Sequence, residues 1–255
     1  MKVMIEFRDV HKQLGGQPVL QGLNLQVAAG ETYVIVGPSG TGKSVTLKHI
    51  VGLLRPDSGQ VLVDDEDVHQ ARPARLKQIR DKFGVLFQTG ALINWMTVFD
   101  NVALPLRERG GNPDYDTIRR QVREQLSMVG LEGVEERMPA ALSGGMRKRV
   151  GLARAIIGGP SIVLYDEPTS GLDPVMSRAI DRLIRELQER LQVTSVVVTH
   201  DLRSAFAVGD RVGMLLDGKI LAQGTPREFA AAKDGAVREF IDAQFGDEQI
   251  RSDGA

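Results

Sequence analysis

No cysteine occurs among the 255 residues, which excludes disulfides, thiolate metal sites and thiol catalysis together. No apolar run reaches the roughly 18 residues that a membrane-crossing helix needs, so no segment is expected to span a bilayer alone. The opening stretch MKVMIEFRDV lacks the long apolar core of a secretory signal. An excess of charge of either sign is also lacking. The 32 Lys and Arg against 33 Asp and Glu leave a formal net charge of −1, which gives no bulk reason to expect a nucleic-acid partner. Neither an internal repeat nor a low-complexity linker interrupts the chain. The expectation is a soluble, cytoplasmic protein whose membrane role would run through a partner.

What is present is a hydrophobic content of 42%, which suits one large domain, or a main domain with a subdomain, better than two independent units. Residues 3–36 alternate short apolar runs with turns and predict strands, several with one face exposed. YVIVG then runs into GPSGTGKS, and VTLKHIVGLL follows with helical spacing. RPDSGQVLVDDEDV reads as a turn and a strand, the charged region from about Arg72 to Gly84 as partly helical, and GVLFQ as another short strand. A mainly helical stretch is expected over roughly 91–158. Within it Thr97 and Asp100 form a capping-box pattern. Asn112-Pro113-Asp114 caps a helix carrying Ile118, Val122, Leu126 and Val129 on one face, and Gly130 ends it.

SIVLYDE (161–167) has the continuous apolar run of a buried parallel strand. Asp173-Pro174 opens a long helix whose Ile180, Leu183, Ile184, Leu187 and Leu191 share a stripe. SVVVTH is a further buried strand, and RVGMLLDGKILAQG reads as a hairpin turning at Asp217-Gly218. From Thr225 onward the tail is amphipathic. Its Phe229, Val237, Phe240, Ile241 and Phe245 either dock on a neighbouring subunit or pack within the chain, and the polar end GDEQIRSDGA is expected to fray. Strand–helix alternation broken by a helical insert predicts an α/β core with an inserted α-subdomain.

GPSGTGKS, residues 37–44, fits G-x-x-x-x-G-K-[ST] at every fixed position and lies between a strand and a helix. Gly37, Gly40 and Gly42 let the loop, which also holds Pro38, Ser39 and Thr41, curl its backbone N–H groups around phosphate oxygens, and the helix start adds a favourable dipole. Lys43 brings a positive charge to the β/γ-phosphates and the Ser44 hydroxyl ligates Mg²⁺. Asp166 and Glu167 end the SIVLY strand: Asp166 is a second metal anchor, and Glu167 is placed as general base toward water, although paired acids at a strand end are also found simply solvated. Gln88 after GVLF reads either as a metal-coordinating, water-positioning amide or as a surface hinge residue. His200, at the end of SVVVTH, faces the crevice where open α/β sheets bind ligands, as a γ-phosphate donor or a rim histidine. A second glycine start, LSGGMRKRV at 142–150, also opens a helix suited to an anion through Ser143, Gly144 and Gly145.

Taken in order, GPSGTGKS, Gln88, LSGGM, IVLYDEP, SGLD and His200 resemble the ATP-binding subunits of ABC transporters over nearly all of residues 1–225. The resemblance implies a P-loop NTPase (RecA-like) α/β core with an antiparallel β subdomain, the helical subdomain inserted at about 91–158, and a C-terminal extension at 226–255. It implies ATP and Mg²⁺ as ligands, and a head-to-tail dimer in which the LSGG segment of one copy closes over the nucleotide of the other. Ser170-Gly171-Leu172-Asp173 would then lie along the seam, although Asp173 is equally a helix cap. Leu14 stands where family members usually carry an aromatic residue against adenine, which relaxes base selectivity.

Met146 in place of the more common Gln, the continuation RKRVGLARAI, and TGALINWMTVFDNVALPLRE resemble the ATPases of Mce-type lipid-trafficking systems, the Mla phospholipid machinery in particular. That likeness implies a membrane permease subunit above the dimer, an MCE-domain lipid-binding protein, a STAS-domain subunit, and a place at the cytoplasmic face of the inner membrane. Residues 89–106 would form the groove for a permease coupling helix. Ala91, Leu92, Trp95 and Val98 would then be covered by the permease, or else pack the insert's own core. Arg147, Lys148 and Arg149 read first as a solvated helix face and second as a contribution to the dimer seam. A transporter ATPase for another small-molecule cargo is the chief alternative. A chromosome-maintenance ATPase would need a long coiled coil, and a translation-associated member a second ATPase unit.

Overall fold

A computed structural model describes residues 2–109 and 114–246. The chain divides into two units: Met1–Leu76 together with Val196–Ala255, and Lys77–Ser195.

In the first unit, β1 (Val3–Leu14) and β2 (Gln17–Ala28) pair antiparallel, and β4 (Ser58–Val63) and β5 (Glu66–Asp67) extend the sheet in the order β2-β1-β4-β5. On β1 the inward residues Ile5, Phe7 and Val10 are spaced two and then three apart. A register shift between Phe7 and Val10, with Asp9 at φ 47°, absorbs the extra residue and keeps all three inside. A second group of strands holds β3 (Thr32–Val36), buried along its whole length and parallel to β9 (Arg211–Leu216). β9 also pairs antiparallel with β10 (Lys219–Gly224), and the turn residues Asp217 and Gly218 adopt φ 48° and 74°, the left-handed pair that a tight hairpin requires.

The helix after the glycine loop, α1 (Lys43–Ile50), is shorter than the apolar spacing of VTLKHIVGLL suggests. Gly52 at φ 69° turns the chain, and the Leu53 and Leu54 N–H groups donate back to the Lys48 carbonyl, closing the helix end. Helices α7 (Leu202–Val208), α8 (Pro226–Ala230) and α9 (Gly235–Phe245) complete the unit. Thr225 and Glu228 cap α8 reciprocally. Part of the apolar surface of the tail is covered within this unit, while Phe240 and Phe245 are half-buried. Phe229, Val237 and Ile241 are buried, and Phe206 on α7 stacks on Phe245 and meets Phe229 edge-on. The frayed end expected after Gly246 lies outside the described residues.

Helix α2 (Pro73–Arg80) and strand β8 (Thr194–Thr199) carry the chain across the division between units. In the second unit β6 (Phe83–Leu86) runs parallel to β7 (Ile162–Asp166), in register from Phe83↔Ile162 to Leu86↔Tyr165. Its helices are α3 (Val98–Glu108), α4 (Tyr115–Met128), α5 (Gly144–Ile156) and α6 (Pro174–Leu191). Thr97 caps α3 by accepting from the Asp100 N–H at 3.1 Å. The stretch before it is a loop, held by the fully buried Asn101. That side chain accepts from the Ile93 N–H and donates to the Ile93, Met96 and Thr97 carbonyls. Asp114 caps α4; Asn112 and Pro113, expected to share that role, lie outside the described residues. On α6 the apolar stripe is buried from Ile180 to Leu187, but Leu191 at its end is exposed.

Candidate functional site

The glycine loop follows from the end of β3. Gly37 is buried at φ 151°, and a Cβ there would lie 2.4 Å from the Leu215 carbonyl oxygen, so only glycine allows the loop to leave the strand beside β9. Gly40 and Gly42 adopt φ 84° and 100°. Gly42 is the N-cap of α1 and supplies no side-chain cap, so the leading N–H groups of the helix are not closed off by a side chain. Lys43 is buried, and its Nζ donates to the Gly37 and Pro38 carbonyls at 2.8 and 2.9 Å. The ammonium is thus folded into the loop it serves. Pro38, Ser39 and Gly40 are exposed, and a Cβ on Gly40 would meet open space. An uncapped helix start, three left-handed glycines and an inward lysine fit a bound phosphate chain. His200 is exposed at the end of β8, just before Asp201 caps α7, and Leu14 is exposed at the end of β1.

The other expected residues belong to the second unit. Ser143 is the exposed N-cap of α5, accepting from the Met146 N–H at 3.3 Å, with Gly144 and Gly145 as the first helical residues. Asp173 caps α6 through the Val175 and Met176 N–H groups. Gln88 follows β6, and its Nε2 donates to Ser170 Oγ at 3.2 Å. Two members of the expected set, Gln88 and the SGLD segment, are therefore joined directly. Asp166 ends β7 and Glu167 follows it at φ 47°. A non-glycine residue held there is strained by roughly 1 kcal/mol or more and persists only if its surroundings fix it.

The Ser170 N–H and Lys148 both donate to its carbonyl, and with Lys148 the expectation of a solvated basic face on α5 is corrected. Lys148 is only 4% exposed, and its Nζ donates to the Glu167 carbonyl at 3.0 Å and to the Gln88 carbonyl. Burial pulls its pKa down to about 8, against the opposing pull of the Glu167 and Asp166 carboxylates. The neighbouring cations also tie loops down. Arg147 donates to the Leu142 carbonyl, Arg149 to the Val129 carbonyl, and Arg154 to the Gly90 and Ala91 carbonyls. Ala91 is the other non-glycine residue of this loop region at positive φ, 46°. Helix α5 therefore carries the LSGG start at one end and, along its length, the cations that hold the Gln88 loop and Glu167. The signal was in the spacing. Lys148 is three or four residues from Gly145, Gly151 and Leu152, all buried, so the helical period puts it on the inner face.

In the expected permease groove, Val98 is fully buried in its own unit and is not available to a partner, whereas Trp95 is 80% exposed and Ala91 is exposed. Among the described residues no three His, Cys, Asp or Glu side chains form a metal-holding group, and no helix is long and apolar enough to cross a membrane. Ser44 offers a hydroxyl oxygen in the first unit, and Gln88 and Asp166 offer an amide and a carboxylate oxygen in the second.

The loop, the second glycine start and the strand-end acids define a nucleotide-handling ATPase, and the comparisons with known proteins agree. The chain belongs to the ABC transporter family, whose model matches residues 20–170. It is 43% identical over 245 residues to a probable ribonucleotide transport ATP-binding protein, mkl, of Mycobacterium leprae, covering 96% of this chain and 70% of that protein. It is 40% identical over 239 residues to the intermembrane phospholipid transport system ATP-binding protein MlaF of Escherichia coli, covering 94% and 88%. Among solved structures, a dimeric ATP-binding cassette in a post-hydrolysis state bound to ADP and Pi matches with a TM-score of 0.80 at 35% identity, over 88% of this chain and 99% of that one. The chain is an ABC-family ATPase with the P-loop NTPase fold.

Proposed function

We propose that this chain is the ATP-hydrolysing subunit of an ABC transporter that moves phospholipid across the cell envelope, and that it works as a head-to-tail pair of identical copies. The observation that carries the ATPase half is the joining of Gln88, Glu167 and the LSGG helix through the buried ammonium of Lys148. Gly37 to Gly42 wrap the phosphates through backbone N–H groups, and Lys43 neutralises charge at the β/γ-phosphates. Ser44, Gln88 and Asp166 are the oxygen donors for Mg²⁺, which when bound neutralises charge developing on the phosphates. Glu167 accepts the proton of the attacking water, and His200 donates to the γ-phosphate. Ser143, Gly144 and Gly145 of the partner copy close the far side, with Asp173 along the seam.

The lipid half is supported by the MlaF relatives of Escherichia coli and Haemophilus influenzae, of which this chain covers 88% and 90%. The mycobacterial relatives are named for ribonucleotide transport, which favours a second reading: the same ATPase serving another cargo. In the first reading the chain sits at the cytoplasmic face of the inner membrane, held by a permease that covers Trp95, with an MCE-domain lipid-binding protein and a STAS-domain subunit in the assembly. Glu167→Gln incubated with ATP is expected to lose turnover and accumulate dimer; hydrolysis at the wild-type rate removes Glu167 as the base. Purification with the native membrane partners, followed by mass spectrometry of bound lipid, is expected to recover phospholipid. A permease for a water-soluble cargo in its place overturns the lipid reading and leaves the ATPase intact.

A further inference from the structure

The tail helix α9 reaches the residue assigned to the γ-phosphate. His200 lies between β8 and α7, and the Leu202 N–H is among the leading amides of α7 that the helix itself cannot satisfy. The Gln244 side chain closes both sides of this junction. Its Oε1 accepts from the Leu202 N–H at 2.9 Å, and its Nε2 donates to the His200 carbonyl at 2.9 Å. A primary amide carries an acceptor oxygen and a donor nitrogen side by side, which is what these two bonds use. The two bonds bracket Asp201 and hold the His200 carbonyl itself, so together they restrict rotation of the backbone on the C-terminal side of the imidazole-bearing residue.

Gln244 is itself held in place. The next residue, Phe245, lies flat on Phe206 with centroids 5.9 Å apart and planes inclined by 4°, and the Arg203 guanidinium stands 5.6 Å from the Phe245 ring centroid. Phe206 and Arg203 both belong to α7, and Val237 and Ile241 anchor α9 with 0% exposure. We propose that Gln244 is a positioning residue for His200, so that the C-terminal helix takes part in ATP turnover. The proposal rests on the reading of His200 given above.

The test uses the full-length chain. Gln244→Glu is nearly isosteric and still accepts from Leu202, but an ionised carboxylate cannot donate to the His200 carbonyl. Gln244→Ala removes both bonds. In each variant kcat is expected to fall about tenfold with the KM for ATP changed less than about twofold, and amide hydrogen exchange across 200–203 is expected to accelerate in Gln244→Ala. In a His200→Ala background the Gln244→Ala change is expected to add nothing further, as for residues acting through one another. Wild-type exchange across 200–203, a glutamate variant with wild-type kcat, or an undiminished tenfold loss in the His200→Ala background each overturns the proposal. Wild-type turnover by His200→Ala alone refutes the role of His200 and takes the functional half of the proposal with it. The exchange result still reports separately on the clamp.

Discussion

Replacing Lys148 with methionine separates its effect on turnover from its effect on stability. Methionine keeps most of the buried stem and removes the charged Nζ. Two charge-assisted hydrogen bonds are lost, to the Gln88 and Glu167 carbonyls, each contributing about 1.5–3 kcal/mol. Against this, burial holds the Lys148 pKa at about 8, below its ordinary 10.5, so the charged form is disfavoured at neutral pH by about 3 kcal/mol, and the substitution relieves that cost. The two contributions nearly cancel, leaving a net loss of about 0–3 kcal/mol, or at most about 10 °C in Tm. Turnover has no such compensation. Glu167 sits at a left-handed φ of 47° and loses a bond that holds its backbone there, and a misplacement of about 1 Å in a catalytic group costs on the order of 100-fold. Thermal melting beside steady-state phosphate release is the assay. A variant whose kcat stays within about twofold of wild type refutes the reasoning, as does one whose loss of turnover merely accompanies unfolding.

A buried histidine makes the protein acid-sensitive. His49 is fully buried on α1, and burial lowers its pKa from 6.5 to about 4. Because the unfolded chain takes up that proton first, stability is level above about pH 6.5 and falls by about 3 kcal/mol as the pH drops to about 4. Burial lowers His69 as well, adding loss in the same direction. Urea denaturation at pH 7 and pH 4.5 is expected to show a smaller acid loss in His49→Asn than in wild type; equal losses would exclude His49 as the cause. Gly37→Ala places a Cβ 2.4 Å from the Leu215 carbonyl oxygen at φ 151°, so destabilisation by roughly 2–3 kcal/mol with loss of nucleotide affinity is expected. Wild-type denaturation and ATP binding by that variant would show that the loop tolerates a side chain.

Much of the machinery was legible in the chain because its chemistry is local. A glycine loop leading into a helix, a Ser or Asp cap three residues from the N–H it accepts, and an Asp-Gly hairpin each depend on a few consecutive residues. Ser143, Asp173 and the Asp217-Gly218 turn accordingly stand where the sequence puts them. The buried stripes of α4 and α6 follow from the helical period alone.

What the tertiary structure decided are contacts between residues far apart in sequence, on which local pattern is silent. β9 reads as half of a hairpin with β10, and only packing shows that its other edge runs parallel to β3. Val98 and Trp95 are equally apolar in the sequence; one is buried and the other exposed, because Asn101 folds the intervening loop back on α3. Lys148 reads as one of three surface cations until two carbonyls, 60 and 19 residues away, are found on its ammonium. The sequence alone determined which backbone can wrap a phosphate, since glycine, helix start and lysine suffice for that. Only the folded chain determined which side chains hold Glu167 and His200 in place, because a hydrogen bond between distant segments exists only once the segments have packed.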